Sequence, residues 1–305
     1  MSKVIAVFGA TGAQGGSVAN ALLESGKWKV RALTSEESRG AALKAKGAEV
    51  VKCSVHDSKD IENALKGAYG AYVVTNFWDP SIMLKEGEIL KNIIKIAKEV
   101  GVQHLVLATL PDAEKVSGGK YKVEHFTLKA NAGDYAKSLG FPYLTFVEAS
   151  YYYSNWFAFF KPTKEEDGTL VWKVPMKGKI SQYDAQEDTG RATAAAFADP
   201  EKYNKKYILL EGDFLTPEES VALIGKAIGK KTRTEFVPYE VFAQLGFPGA
   251  HELADMGAWF DHYECFGPET AERKRASGKA ADPKMKTFEQ WLATGAWKKY
   301  EADFS

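Results

Sequence analysis

"AVFGATGAQGGSVANALLESG", residues 6–26, decides the fold. The apolar run from Val4 to Phe8 has the length and composition of a buried strand. It stops at Gly9, and a helical pattern runs from about Gln14 to Ser25. Between them Gly9, Gly12 and Gly15 fall at G-x-x-G-x-x-G spacing. Strand, glycine turn and helix in that order are the context in which such a loop cradles a pyrophosphate. Gly9 permits the tight turn, Gly12 lets backbone approach the phosphates, and Gly15 lets the helix pack close to the strand. The helix N-terminus then offers free N–H groups and the positive end of its dipole. Thr11, Ala13 and Gln14 flank that anion position. The bland alternative is a glycine-rich turn that holds nothing.

Working outward, "KVRALT", "AEVVKC", "AYVVTN", "HLVLAT" and "YLTFVE" are further runs of strand length. Helical stretches separate them. The clearest is "IMLKEGEILKNIIKIAKEVG", with Ile82, Leu90, Ile93, Ile94 and Ala97 on one side and Gly101 as its stop. Strict alternation of strand and helix predicts an α/β protein with a Rossmann-type doubly wound parallel sheet. The pattern changes after Glu148, where seven aromatics fill the ten positions from Tyr151 to Phe160. Asp167-Gly168 then marks a hairpin turn. Thr216 with Glu219, and Thr287 with Gln290, read as capping boxes that open helices. The expected division is a dinucleotide-binding domain over 1–150 with a return segment near 184–215. Residues 151–183 and 216–305 would form a smaller, mostly helical lobe.

Forty basic and forty acidic residues give a formal net charge of zero among 305 residues. No surplus of positive charge is available for a phosphate backbone, which argues against direct nucleic-acid binding. Two cysteines, Cys53 and Cys265, make no disulfide framework and suit a reducing compartment. Met1-Ser2-Lys3 runs straight into the first strand, leaving no room for a secretory signal, and no apolar run approaches a membrane span. The expected location is the cytoplasm, with the nucleus as the other compartment. The five histidines show no metal-ligand spacing, so no metal is expected.

The wide gap between the first two glycines resembles the short-chain dehydrogenase/reductase superfamily. "GATGAQGGSVANALLESG", "VVTNFWD", "HFTLKAN", "LGFPGAHELADM" and "TFEQWL", in that order from Lys3 to about Leu292, resemble the NmrA-like family and its redox-sensor branch. The resemblance implies a Rossmann domain binding NAD(P)(H), a small second lobe, and frequently no demonstrated catalysis. It places Ser35 where NADP-preferring members carry Arg, Val55 against the adenine, and Asn76 and Phe77 beside the nicotinamide. Family habit favours NADP(H), with NAD(H) the alternative. Glu36 and Glu37 would repel a 2′-phosphate, whereas Arg39 could bend back to reach one.

Reductases of the superfamily use a Ser–Tyr–Lys set, with Tyr and Lys four residues apart on one helix face. No tyrosine here has a lysine four residues on. In "YKVEHFTLK" Lys129 is present, His125 takes the tyrosine position, and Thr109 ends the fifth strand where Ser would be. Lys129 would contact the nicotinamide ribose. His125 is either a proton donor or a packing residue, and Tyr121 is a distant substitute. Tyr151, Tyr152 and Asn155 from the aromatic stretch, with Phe247 and Trp259 from the "LGFPGAHELADMGAWF" segment, are the candidate substrate-pocket residues, and Met256 would add apolar cover. The missing tyrosine favours a dinucleotide-responsive sensor acting through protein partners. The alternative is an NADPH-dependent reductase of a small carbonyl, quinone or imine.

Overall fold

The computed structural model describes residues 2–271 and 273–304. Its strands in chain order are β1 (Val4–Val7), β2 (Lys29–Thr34), β3 (Glu49–Lys52), β4 (Gly70–Val73), β5 (His104–Thr109), β6 (Tyr143–Glu148) and β7 (Tyr151–Tyr152). There follow β8 (Thr163–Lys164), β9 (Leu170–Val174), β10 (Ile180–Tyr183), β11 (Tyr207–Leu209), β12 (Asp213–Leu215), β13 (Thr232–Phe236) and β14 (Arg273–Lys274). Eight of them form one sheet in the order β14-β11-β6-β5-β4-β1-β2-β3. Every neighbouring pair in it is parallel. The chain winds outward from β1 to β3, crosses back to β4, and winds the other way. The reversal between β1 and β4 is the switch point at which Rossmann folds open a crevice beyond the strand C-termini.

Alternation along each strand sorts the core into two layers. Ile5 and Val7 face Val18, Leu22 and Phe197, from the helices Ala13–Glu24 and Asp188–Ala198. Ala6 and Phe8 face the other way, toward Leu90, Ile93 and Ala132 of the helices Glu86–Glu99 and Glu124–Ser138. With both faces covered, the inner strands β1 (VIAV) and β4 (GAYV) carry apolar residues throughout, whereas β2 and β3 toward the edge also carry Lys29, Arg31, Glu49 and Lys52.

The second lobe carries two three-stranded sheets, β12-β10-β7 and β13-β9-β8, beside its helices. The Asp167-Gly168 turn joins β8 to β9, with Gly168 at φ +84. Both capping boxes are present, Thr216 with Glu219 and Thr287 with Gln290. Tyr153, Trp156 and Phe157 of the aromatic stretch are fully buried with Trp172, Phe288 and Trp291. Two segments depart from the expected division, the first being β12, which falls within the expected return segment yet pairs with β10 of the small lobe. Arg273–Lys274 leaves the small lobe and pairs with β11 at the edge of the main sheet, its Arg273 guanidinium 2.8 Å from the buried Glu148 carboxylate. Among the described residues no helix is long and apolar enough to cross a membrane, and no cluster of His, Cys, Asp or Glu could hold a metal.

Candidate functional site

The glycine loop folds as its spacing requires. Gly9 adopts φ +60, and a Cβ on Gly15 would sit 2.3 Å from the Gly9 carbonyl oxygen, so helix and strand meet there only because position 15 has no side chain. The helix Ala13–Glu24 begins with no capping side chain and no acidic residue in its first turn. Gly9, Gly12 and Ala13 are exposed around that open end. Gln14 is committed to protein partners: its amide accepts from the Tyr72 hydroxyl at 2.7 Å and donates to the Tyr152 hydroxyl at 2.5 Å. Thr11 lies 3.4 Å from the Thr34 hydroxyl. Beyond β2, Ser35 and Arg39 are exposed, and Arg39 makes no ion pair among the described residues. Glu36 is engaged by the Ser38 hydroxyl at 2.6 Å. Val55 is half-buried against the core layer beneath β1 and β4.

A pocket of about 250 Å³ lies beyond the strand C-termini beside this loop. Gln14 comes to it from the loop after β1, Thr75, Asn76, Phe77 and Trp78 from the end of β4, and Leu110 from the end of β5. His125, Phe126 and Lys129 line it from the helix Glu124–Ser138. Tyr151, Tyr152 and Asn155 enter after β6, followed by Phe159 and Phe160. Leu253, Met256 and Phe260 of the helix Ala250–Tyr263 form the roof. The structure therefore brings Gln14, Asn76, Phe77, His125, Lys129, Tyr151, Tyr152 and Asn155 together.

Two side chains held by carboxylates anchor the polar wall. The Lys129 ammonium is 2.6 Å from Glu86, and Thr75 donates to the same carboxylate oxygen at 2.6 Å. Glu86 is completely buried. Burial pushes the Lys129 amine below its usual value, against the pull of Glu86. On the other side the Glu252 carboxylate contacts His125 Nδ1. The same carboxylate accepts from the backbone N–H of Glu124 at 3.1 Å and of His125 at 2.9 Å. The helix Glu124–Ser138 has no capping side chain of its own, so a residue of the roof helix caps it. Burial opposes the Glu252 charge, but the hydrogen bonds from His125 and the backbone outweigh it and hold the carboxyl below its ordinary value. Burial lowers the His125 imidazole despite Glu252. The resting pair is thus a carboxylate and a neutral imidazole whose Nδ1 carries the proton, leaving Nε2 as an acceptor.

Four sequence expectations land elsewhere. Thr109 does not line the pocket; its hydroxyl turns to the Lys129 carbonyl oxygen at 3.3 Å. Tyr121 precedes the helix, which starts at Glu124, and its hydroxyl meets His262 Nδ1 at 3.1 Å within the second lobe. Trp259 is fully buried, stacked on Tyr263 with its indole N–H bonded to the Cys265 carbonyl. Phe260 is the next residue along, a rotation of about 100° around the helix, which turns Trp259 from pocket to core. Phe247 is 40% exposed and packs edge-on to Phe242 outside the pocket. Met256 does cover the pocket, as expected.

Glu86 and Glu252 escaped the sequence reading. Glu86 carried a usable signal, because it precedes Leu90, Ile93 and Ala97 by four, seven and eleven residues and so stands in register with their buried stripe. Glu252 carried none, being 127 residues from His125.

Comparison with known proteins gives this architecture its relatives. FrzB, an NmrA-like family domain-containing oxidoreductase of Cladobotryum sp., is 32% identical, the match covering 91% of this chain and 90% of that protein. The oxidoreductase himF of Aspergillus japonicus is 32% identical over 76% of this chain and 75% of its own. The crystal structure of NmrA, a negative transcriptional regulator, superposes with a TM-score of 0.85 at 23% identity, covering 99% of this chain and 98% of that one. Other crystals of NmrA hold NADP or NAD. The family model described as "NmrA-like family" matches residues 1–292, and the chain belongs to that family.

Proposed function

We propose that this protein is an NAD(P)(H)-dependent oxidoreductase that reduces a small, neutral, largely apolar carbonyl compound or quinone. The observation that carries the reading is the roofed pocket in which two titratable groups, His125 and Lys129, are each fixed by a carboxylate, half-buried Glu252 and fully buried Glu86, beside the glycine loop. FrzB and himF, named oxidoreductases, support it. The residues present fit a dinucleotide: an uncapped helix N-terminus behind an exposed glycine turn suits the pyrophosphate. Bound there, the reduced nicotinamide would supply a hydride to the substrate carbon.

The chain's own groups do the rest. Glu86, itself held by the Thr75 hydroxyl, fixes the Lys129 ammonium, which serves ribose hydroxyls as a hydrogen-bond donor. The aromatic wall and the roof keep water from the reacting carbon. His125, held by Glu252, takes a proton on Nε2 and passes it to the substrate oxygen. The carboxylate-held imidazole thus fills the role of the missing tyrosine. Because burial lowers the imidazole's pKa, the proton-loaded form is scarce at neutral pH. Turnover should therefore rise as pH falls, with an inflection below the ordinary histidine value of about 6.5.

The decisive test is NADPH oxidation by purified protein across a panel of quinones and aldehydes. In His125→Ala the Glu252 carboxylate keeps its two backbone donors, so the fold should persist. Turnover should drop by roughly 10²–10⁴-fold, the contribution of one general acid, with dinucleotide affinity nearly unchanged. A wild type inert to the whole panel would instead support the second reading, a dinucleotide-responsive regulator with protein partners. That reading draws on the hydrogen-bonded path from Gln14 in the dinucleotide loop to Tyr152 in the small sheet.

NADP(H) is the proposed cofactor, with Arg39 the cation that meets the 2′-phosphate. Position 35 lacks the arginine that would do this from closer by. One added charge-assisted hydrogen bond contributes roughly 1.5–3 kcal/mol, so Ser35→Arg should raise the preference for NADPH over NADH by about one to two powers of ten. Unchanged relative affinities would mean that the phosphate is already fully held.

A further inference from the structure

Five buried side-chain polar atoms have no hydrogen-bond partner among the described residues: Glu86 Oε2, His104 Nδ1, the Tyr151 hydroxyl, Thr193 Oγ1 and Arg273 Nε. A buried donor left unpaired costs the full desolvation of the group, so each such atom calls for an explanation. Tyr151 alone among these residues lines the pocket. Its ring is fixed, 4% exposed and packed against Trp156 and Phe160 at centroid distances of 5.1 and 6.2 Å. A phenol held this firmly cannot swing away to find a protein acceptor.

We infer that the Tyr151 hydroxyl is the group that grips an acceptor oxygen of the pocket's ligand, and that this ligand is a flat, uncharged one- or two-ring carbonyl compound. The inference deepens the proposed oxidoreductase reading and rests on its pocket. Flatness and size follow from about 250 Å³ of space walled by aromatic rings. Neutrality follows from how the wall's charges are taken up: Lys129 is matched by Glu86, and the Glu252 carboxylate is held behind the His125 ring by that ring and two backbone N–H groups, which leaves no free ion for a charged ligand. Burial holds the phenol well above its usual pKa, so it remains a donor throughout the working range. Its role is to bind and polarise the oxygen while keeping its own proton. It stands outside the i, i+4 pattern by which a tyrosine was sought.

The test is Tyr151→Phe, which keeps the ring and removes only the hydroxyl. Without ligand the variant should be at least as heat-stable as wild type, because an unpaired buried group is gone. Binding of menadione, followed by quenching of intrinsic tryptophan fluorescence, should weaken by about 3–10-fold, the worth of one neutral hydrogen bond. Binding of methylnaphthalene, which has the rings and no carbonyl, should be the same in both proteins. Equal menadione affinities would overturn the inference, as would a variant that is less stable than wild type and weakened equally toward both probes. A wild type that binds neither probe would overturn it as well. Hydroxyl-dependent menadione binding without NADPH oxidation would support Tyr151 as the gripping group and remove the reductase reading.

Discussion

Gly12→Val should fold normally and bind NADPH about 100-fold or more weakly. Gly12 sits at φ −95 and ψ −177, extended backbone that valine adopts without strain. A Cβ there would lie 3.3 Å from the Gly9 carbonyl oxygen, a contact relieved by a shift of a few tenths of an ångström. Its methyl groups would then occupy the space in front of the open helix end. Losing even two charge-assisted hydrogen bonds from backbone N–H to phosphate, at roughly 1.5–3 kcal/mol each, accounts for the factor. Calorimetric titration with NADPH, beside a melting curve, checks both halves of the expectation. Gly15→Val is the contrast: its Cβ would meet backbone at 2.3 Å, and the strand–helix junction itself should fail. A Gly12→Val protein that binds NADPH like wild type would mean that the dinucleotide does not lie across this turn.

Glu86→Leu should destabilise the fold by about 3–5 kcal/mol, because it leaves the Lys129 ammonium buried with no counter-charge. At roughly 2–4 °C per kcal/mol the melting temperature should fall by about 6–20 °C. Adding Lys129→Met should recover most of the loss, since both members of the pair are then apolar. Lys129→Met alone should cost less than Glu86→Leu, because Thr75 still donates to the carboxylate. The pH dependence has a definite sign. Burial lowers Lys129 in the folded state, so the unfolded chain binds more protons between the lowered value and about 10.4. Glu86→Leu should therefore regain stability as pH rises through that range. Urea unfolding of the single and double variants at two pH values provides the measurement, and a double variant no better than Glu86→Leu would contradict the pairing.

The sheet was legible because its information is local. Its strands, β14 excepted, are built on short apolar runs whose neighbours in sequence decide their length, and the glycine loop is a short motif whose context lies on either side of it. The lysine of the site was legible through the resemblance, whose Tyr–Lys spacing sets Lys129 four residues after the tyrosine position that His125 takes. The roof was legible only as a segment. "LGFPGAHELADMGAWF" announced apolar cover, but which of its residues face inward depends on the rotation of one helix against another domain. A choice between Trp259 and its neighbour Phe260 turns on that rotation. Glu252 depended on where that helix docks, a fact of tertiary packing that no stretch of sequence around His125 contains. The Tyr151 hydroxyl lay beyond reach on a different ground, since what distinguishes it is the absence of a partner.

Glu252 belongs to the roof, yet it caps the helix on which His125 and Lys129 ride and steers the His125 ring. The first turn of one element and the tautomer of its imidazole thus depend on how another element docks, and any displacement of the roof helix would remove the cap and the tautomer lock together.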